Sequence, residues 1–243
     1  MTIATVAPAY QGLWRRTAIR RSDGSSDTRT AVWWLQSPRF HVDLRIPAER
    51  PALLRAAQLA SLPAAQVAGF AAQTGFAGST YVDGARCTWQ PEIAFPTLGD
   101  DVDAGIMRFD SADALHETGI DGSYDEDWRR TPTGAVRGVR LQDKQSDAIA
   151  YLLVSEHWMA WACGRRGDTF HPHLTSADAW SEFTILHKDG DWKVAASNFP
   201  WLEATPAAGA AALEPAAIAR WKTGEVVLIP FRPRQWWRIT DID

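Results

Sequence analysis

Cysteine is scarce here. Cys87 and Cys163 are the only two among 243 residues, too few for a disulfide framework and too far apart for zinc-ligand spacing, so they read as two buried thiols of a cytoplasmic protein. Charge of one sign is scarce too. The 25 basic and 29 acidic residues leave a formal net charge of −4 and are mixed along the chain, so no electrostatic footprint for nucleic acid or an anionic membrane stands out. No run approaches 18 apolar residues, and "MTIATVAPAY" has no basic start. The expectation is a cytoplasmic protein without a membrane helix or export signal. G-x-S-x-G, P-loop, G-x-G-x-x-G, H-E-x-x-H and paired C-x-x-C patterns do not occur, which withdraws support from the covalent, phosphoryl-transfer, dinucleotide and zinc chemistries those motifs serve.

Tryptophan, by contrast, is abundant: thirteen against nine Phe and four Tyr. Indoles are large, flat and carry a single N–H, which suits cores and ligand pockets that are apolar with one wet end.

From Gln11 onward, short β-branched and aromatic runs alternate with Gly, Asp, Asn, Ser and Pro turns. "VDGA" around Asp83-Gly84 and "KDGD" at Lys188 to Asp191 are hairpin signals. Two Ala-rich stretches interrupt this grammar, residues 48–74, with Pro51 and Pro63 placed for the first turns of short helices, and residues 206–222. About fifteen short strands at this spacing predict an all-β protein of antiparallel barrels or sandwiches. The division expected is residues 1–130 and 131–243, each a run of strands with one helical insertion.

Near the start, "GLW" (Gly12 to Trp14) is the kind of Gly-x-Trp that closes one end of a lipocalin-type barrel, with an Arg covering the indole; Arg15 and Arg16 follow directly. The blocks "GLWRR", "DTRT", "WWLQ", "DLRIP", "GFAG", "CTWQPEIAF" and "PWLE" resemble an uncharacterised bacterial group related to the fungal HRI1 proteins, over most of the chain. That resemblance implies a calycin-like architecture, two packed β-barrel halves with short inserted helices, and carries no catalytic residue with it.

"FHVDLRIP", Phe40 to Pro47, poses the functional question. On a strand, Phe40, Val42, Leu44 and Ile46 face one way and His41, Asp43 and Arg45 the other. The polar row is either a wetted surface or the lining of a pocket. In the pocket reading, Arg45 anchors a carboxylate or carbonyl and His41 with Asp43 forms a proton-transfer pair. "SYDEDWRR" carries the same ambiguity: Tyr124, Glu126, Trp128 and Arg130 share a face, on a salt-bridged edge strand or on a cavity wall where Tyr124 and Glu126 would act. In "HETG", His116 and Glu117 fall on opposite faces. "SEHWMAWACG" puts His157, Met159, Trp161 and Cys163 on one face, a sulfur- and indole-lined wall, with haem held by one His as the alternative to no cofactor at all. His171 and His173 sit in a loop that reads as adventitious surface metal binding, and no metal site is expected.

Three functions follow as expectations. The first is binding of a small apolar or aromatic molecule with an acidic or carbonyl group, using Arg15 or Arg45 as anchor and Trp34, Trp89, Trp128, His157 and Trp161 as wall. The second is a cofactor-independent lyase, hydratase or isomerase using His41 and Asp43, or Tyr124 and Glu126. The third is an interaction module displaying Trp236 and Trp237, or a homodimer.

Overall fold

The computed structural model describes residues 5–99, 103–171 and 181–243. Among the described residues, alternating apolar residues and tight turns build sixteen strands, every pair antiparallel, in two sheets. The first comprises β1 (Gly12–Arg21), β2 (Ser26–Asp27), β3 (Ala31–Gln36), β4 (Phe40–Ile46), β5 (Thr74–Asp83), β6 (Arg86–Phe95), β7 (Asp103–Ser111), β8 (Ala114–Gly119) and β9 (Tyr124–Thr131). Hairpins make most neighbours sequential; the β5–β6 turn uses Gly84 at φ 58°, a conformation that costs glycine least. The exception closes the sheet. β9 returns to pair with β1, from Leu13 opposite Thr131 to Arg21 opposite Tyr124, and the result is a closed eight-stranded barrel. β9 therefore has a partner on each side, and the edge-strand reading of "SYDEDWRR" does not hold.

The second sheet comprises β10 (Arg137–Asp143), β11 (Ile149–Val154), β12 (Trp158–Gly164), β13 (Glu182–Asp189), β14 (Asp191–Ser197), β15 (Val226–Ile229) and β16 (Arg232–Ile242), in the order 14-13-12-11-10-16-15. It curls into a half-barrel, so of the two barrel-like halves the first is closed and the second stays open. The Ala/Pro-rich chain between β14 and β15 is the reason. It forms a 3-10 turn (Ala210–Leu213) and the short helix α2 (Pro215–Ile218), and it buries Leu213 and Ile218 against the sheet instead of adding a strand. In the first half, the other Ala-rich stretch forms a 3-10 turn (Ala56–Ser61) and α1 (Ala64–Ala71), with Phe70 buried. Pro63 stands at the cap of α1, whereas Pro51 lies outside both helical pieces.

β4 shows how the sheets meet. Phe40, Val42, Leu44 and Ile46 pack in one core with Tyr151, Leu153, Ala160, Phe183 and Ile185 of the second sheet. His41 and Asp43 are buried on the opposite face, inside the barrel, with Arg45 half-buried near its end. β11 is likewise buried on both faces: Ile149, Tyr151 and Leu153 toward the barrel, Ala150, Leu152 and Val154 in the half-barrel core. Both are central strands, which is why a polar row on β4 does not mean a wet face.

Candidate functional site

One end of the barrel is sealed by the Gly-x-Trp. Gly12 has φ 123°, and Trp14, fully buried, donates its indole N–H to the Tyr10 carbonyl at 2.8 Å. The arginine over the indole comes from the last strand: Arg130 Cζ lies 4.5 Å from the Trp14 ring and its guanidinium donates to the Gln11 and Ala9 carbonyls. Arg15 and Arg16 have other tasks. Arg15 lies outside the barrel over Trp33, 4.1 Å from its centroid, and donates to the Val32 carbonyl, so it is no anchor for an interior ligand. Arg16 points inward to Glu126 at 2.6 Å and reaches Asp27 at 3.4 Å.

The polar row of β4 lines the barrel, but His41 and Asp43 are not joined. His41 Nδ1 meets Thr80 Oγ1 at 3.0 Å, and because the Thr80 hydroxyl donates to Gln36 Oε1, Nδ1 carries the proton. Trp34 donates to the same Gln36 oxygen at 3.1 Å. His41 Nε2 is buried without a partner, and burial pushes its pKa down to about 3, so the ring is neutral at physiological pH. Asp43 instead accepts from Arg45 Nε at 2.8 Å; burial raises its pKa to about 6 against the pull of Arg45. Arg45 lies 3.8 Å from Asp103 and over Phe76, at the mouth of the barrel.

Across the barrel, Glu117 of β8 and Glu126 of β9 are directly opposed, an arrangement that repels when both are charged. Arg16 compensates Glu126. Glu117 accepts only from neutral donors, Tyr124 Oη at 2.8 Å and Trp128 Nε1 at 3.1 Å. Burial first, and Glu126 second, raise the Glu117 pKa to about 8. Tyr124 thus pairs with Glu117 rather than with Glu126. Glycines make the room: a Cβ on Gly105 would sit 2.6 Å from Glu117 Cγ, and one on Gly119 would sit 2.6 Å from Tyr124 Cε1. Three indoles complete the wall. Trp34 meets Trp89 edge-on at 5.3 Å and Trp128 at 5.8 Å.

Glu117 is the residue that sequence reasoning passed over. The opposite-face assignment was right: His116 is on the outside, bound to Asp127 at 2.9 Å and Asp125 at 3.1 Å. Opposite faces keep Glu117 from acting with its sequence neighbour His116. Its partners were on the neighbouring strand.

The other expected wall residues lie elsewhere. His157 is exposed in the turn before β12 and takes no part in the barrel. Trp161 belongs to the half-barrel core with Met159, and meets Trp237 edge-on at 5.6 Å. Trp237 is fully buried, which leaves Trp236 alone as an exposed indole of that pair. Cys87 is buried and Cys163 half-buried. His171 is exposed, and His173 lies outside the described residues. Among the described residues, no group of three His, Cys, Asp or Glu side chains is placed to hold a metal ion, and no helix is long and apolar enough to cross a membrane.

No family model and no curated protein matches this chain. A solved structure does: the crystal structure of the uncharacterized protein YLR301w from Saccharomyces cerevisiae aligns with a TM-score of 0.57 over 95% of this chain and 98% of that one, at 13% sequence identity. The likeness is one of fold.

Proposed function

We propose that the closed barrel binds a small molecule with an apolar or aromatic body and an acidic or carbonyl group, anchored by Arg45. The observation that carries this reading is the position of Arg45. It borders a cleft of about 240 Å³ at the barrel mouth together with Phe76, Ala94, Phe95 and Asp103. Its Nε is committed to Asp43, while Nη1 has no partner among the described residues. A guanidinium with a donor to spare beside aromatic surface suits a planar carboxylate or carbonyl. The buried Arg16–Glu126 pair in the barrel adds support, because such a pair is a poor source of stability compared with a packed apolar core. The test is a fluorescence titration with 2-naphthoate. Wild type should bind it and Arg45→Met should bind it at least ~10-fold more weakly, the loss of a charge-assisted hydrogen bond; equal affinities would sink the reading.

A second reading, cofactor-independent acid–base chemistry in the same barrel, draws on the Tyr124–Glu117 contact. A carboxyl that titrates near pH 8 beside a phenol can accept and return a proton during a hydration, elimination or isomerisation. Under this reading Glu117→Gln abolishes turnover and spares 2-naphthoate binding. Turnover that survives the substitution rejects it.

A further inference from the structure

The half-barrel has its own anomaly. Three indole N–H groups, those of Trp161, Trp192 and Trp237, are buried without an acceptor, and all three belong to the same core. Buried N–H donors in folded proteins are nearly always paired. In the closed barrel Trp14, Trp34 and Trp128 obey that rule, so an indole in this protein finds an acceptor when the core supplies one. The polar side chains beside these indoles are engaged elsewhere: Thr184, opposite Trp161, bonds Glu182 and Ser197, and Asp143, opposite Trp237, accepts from Ser146.

Beside this core lies a cavity of about 270 Å³, bordered by Trp161, Cys163, Phe199, Trp201 and Leu202. Trp161 therefore both borders the cavity and carries one of the unpaired donors. The rim is charged but balanced: Arg232 pairs with Glu182, with Nε to Oε2 at 3.1 Å, and Arg165 pairs with Asp147 at 2.8 Å. Asp168 also lines the rim, accepting from the Arg165 backbone N–H, so among the described residues the rim offers no unpaired cation for an anionic group.

We infer that the half-barrel holds a second binding site, separate from the barrel mouth, for an uncharged aromatic molecule that presents a hydrogen-bond acceptor oxygen to the indole N–H of Trp161 or Trp237. The aromatic body packs on Phe199, Trp201 and the Trp161 ring, and the oxygen supplies the acceptor the core lacks. An anion goes to Arg45; a neutral acceptor goes here.

The experiment compares 2-acetylnaphthalene with 2-ethylnaphthalene, which share shape and differ in the carbonyl. The indole N–H resonances are followed by NMR, assigned through single Trp→Phe variants. Wild type should bind the ketone about 10-fold more tightly than the hydrocarbon, the worth of one recovered hydrogen bond. The Trp161 or Trp237 N–H resonance should move downfield, and the preference should fall to near 1 in Trp161→Phe or Trp237→Phe. If either variant fails to fold, the wild-type titration decides alone. Equal affinities, or unmoved Trp161 and Trp237 resonances, would overturn the inference. So would shifts confined to Trp34, Trp89 and Trp128, which would place the ketone in the barrel and leave the Arg45 reading standing. Failure of 2-naphthoate to bind leaves the half-barrel site untouched.

Discussion

The closed barrel and the half-barrel solve the same problem, filling a curved antiparallel sheet with indoles, in opposite ways. The barrel takes charge inside and pairs it: Arg16 with Glu126, Arg45 with Asp43, Trp34 with Gln36, Trp128 with Glu117. The half-barrel ties its buried Asp143 and Thr184 to Ser146, Glu182 and Ser197 and leaves its indole N–H groups unmet. The difference follows from closure. A barrel closed by β1–β9 pairing presents inward faces from strands far apart in sequence, so complementary groups can meet across it. A half-barrel capped by an Ala/Pro-rich segment meets Leu213 and Ile218 from that cap, whose Glu214 turns instead to Lys188.

The most damaging way to probe the contrast is to remove a cation from each half. Arg16→Met strands Glu126 in the barrel and should cost about 3–5 kcal/mol in urea unfolding. Arg232→Met, at the half-barrel rim, should cost about 1 kcal/mol or less. Similar losses would show that the barrel interior is no drier than the rim. A finer cut replaces an indole by a phenyl ring in each. Trp34→Phe and Trp237→Phe lose similar volume, but only the first removes a donor from a buried acceptor. Trp34→Phe should therefore be the costlier by about 1 kcal/mol.

Acidity separates the barrel interior from the junction of the two sheets by sign. Glu117 has a folded pKa of about 8 against an ordinary 4.5, so the folded state holds its proton more tightly than the unfolded chain does. Its protonated form favours folding, and that contribution is lost as pH rises from about 4.5 to about 8. Glu117→Gln should flatten stability over that window. Glu92 works the other way. At the junction of the two sheets it accepts from Arg140 Nε and Tyr151 Oη, each at 2.5 Å, and from Arg166. Burial opposes its charge, but those donors hold its pKa at about 2. Its contribution is present above about 4.5 and lost as pH falls toward 2. Glu92→Gln should cost about 2–3 kcal/mol near pH 7 and remove that acid-side slope. Acid melts of the two variants that look alike would contradict the assignment.

Much of the fold was legible because alternation and turn chemistry are local. "FHVDLRIP" sorted its faces correctly, the Asp83-Gly84 and Lys188–Asp191 hairpins formed as read, and both Ala-rich stretches became helical pieces. What stayed hidden was which strands meet. β1–β9 pairing is non-local, so the cover over Trp14 was sought in Arg15 and Arg16, next in sequence, while Arg130 supplies it. The same gap joined Tyr124 to Glu126 on its own strand instead of to Glu117 on the next one. Trp34 and Trp161, equal as indoles in the sequence, are divided between two cores by a topology that no single strand encodes.

The Arg130–Trp14 contact has a consequence for synthesis. β1 and β3 are neighbours in the chain and can pair as soon as both have left the ribosome, but the other edge of β1 finds no partner until β9 follows. Until then the nascent barrel carries an open, hydrogen-bond-hungry edge, the kind that recruits stray strands. Pairing of β9 with β1 removes that edge and brings the arginine of the barrel's last strand onto the indole of its first.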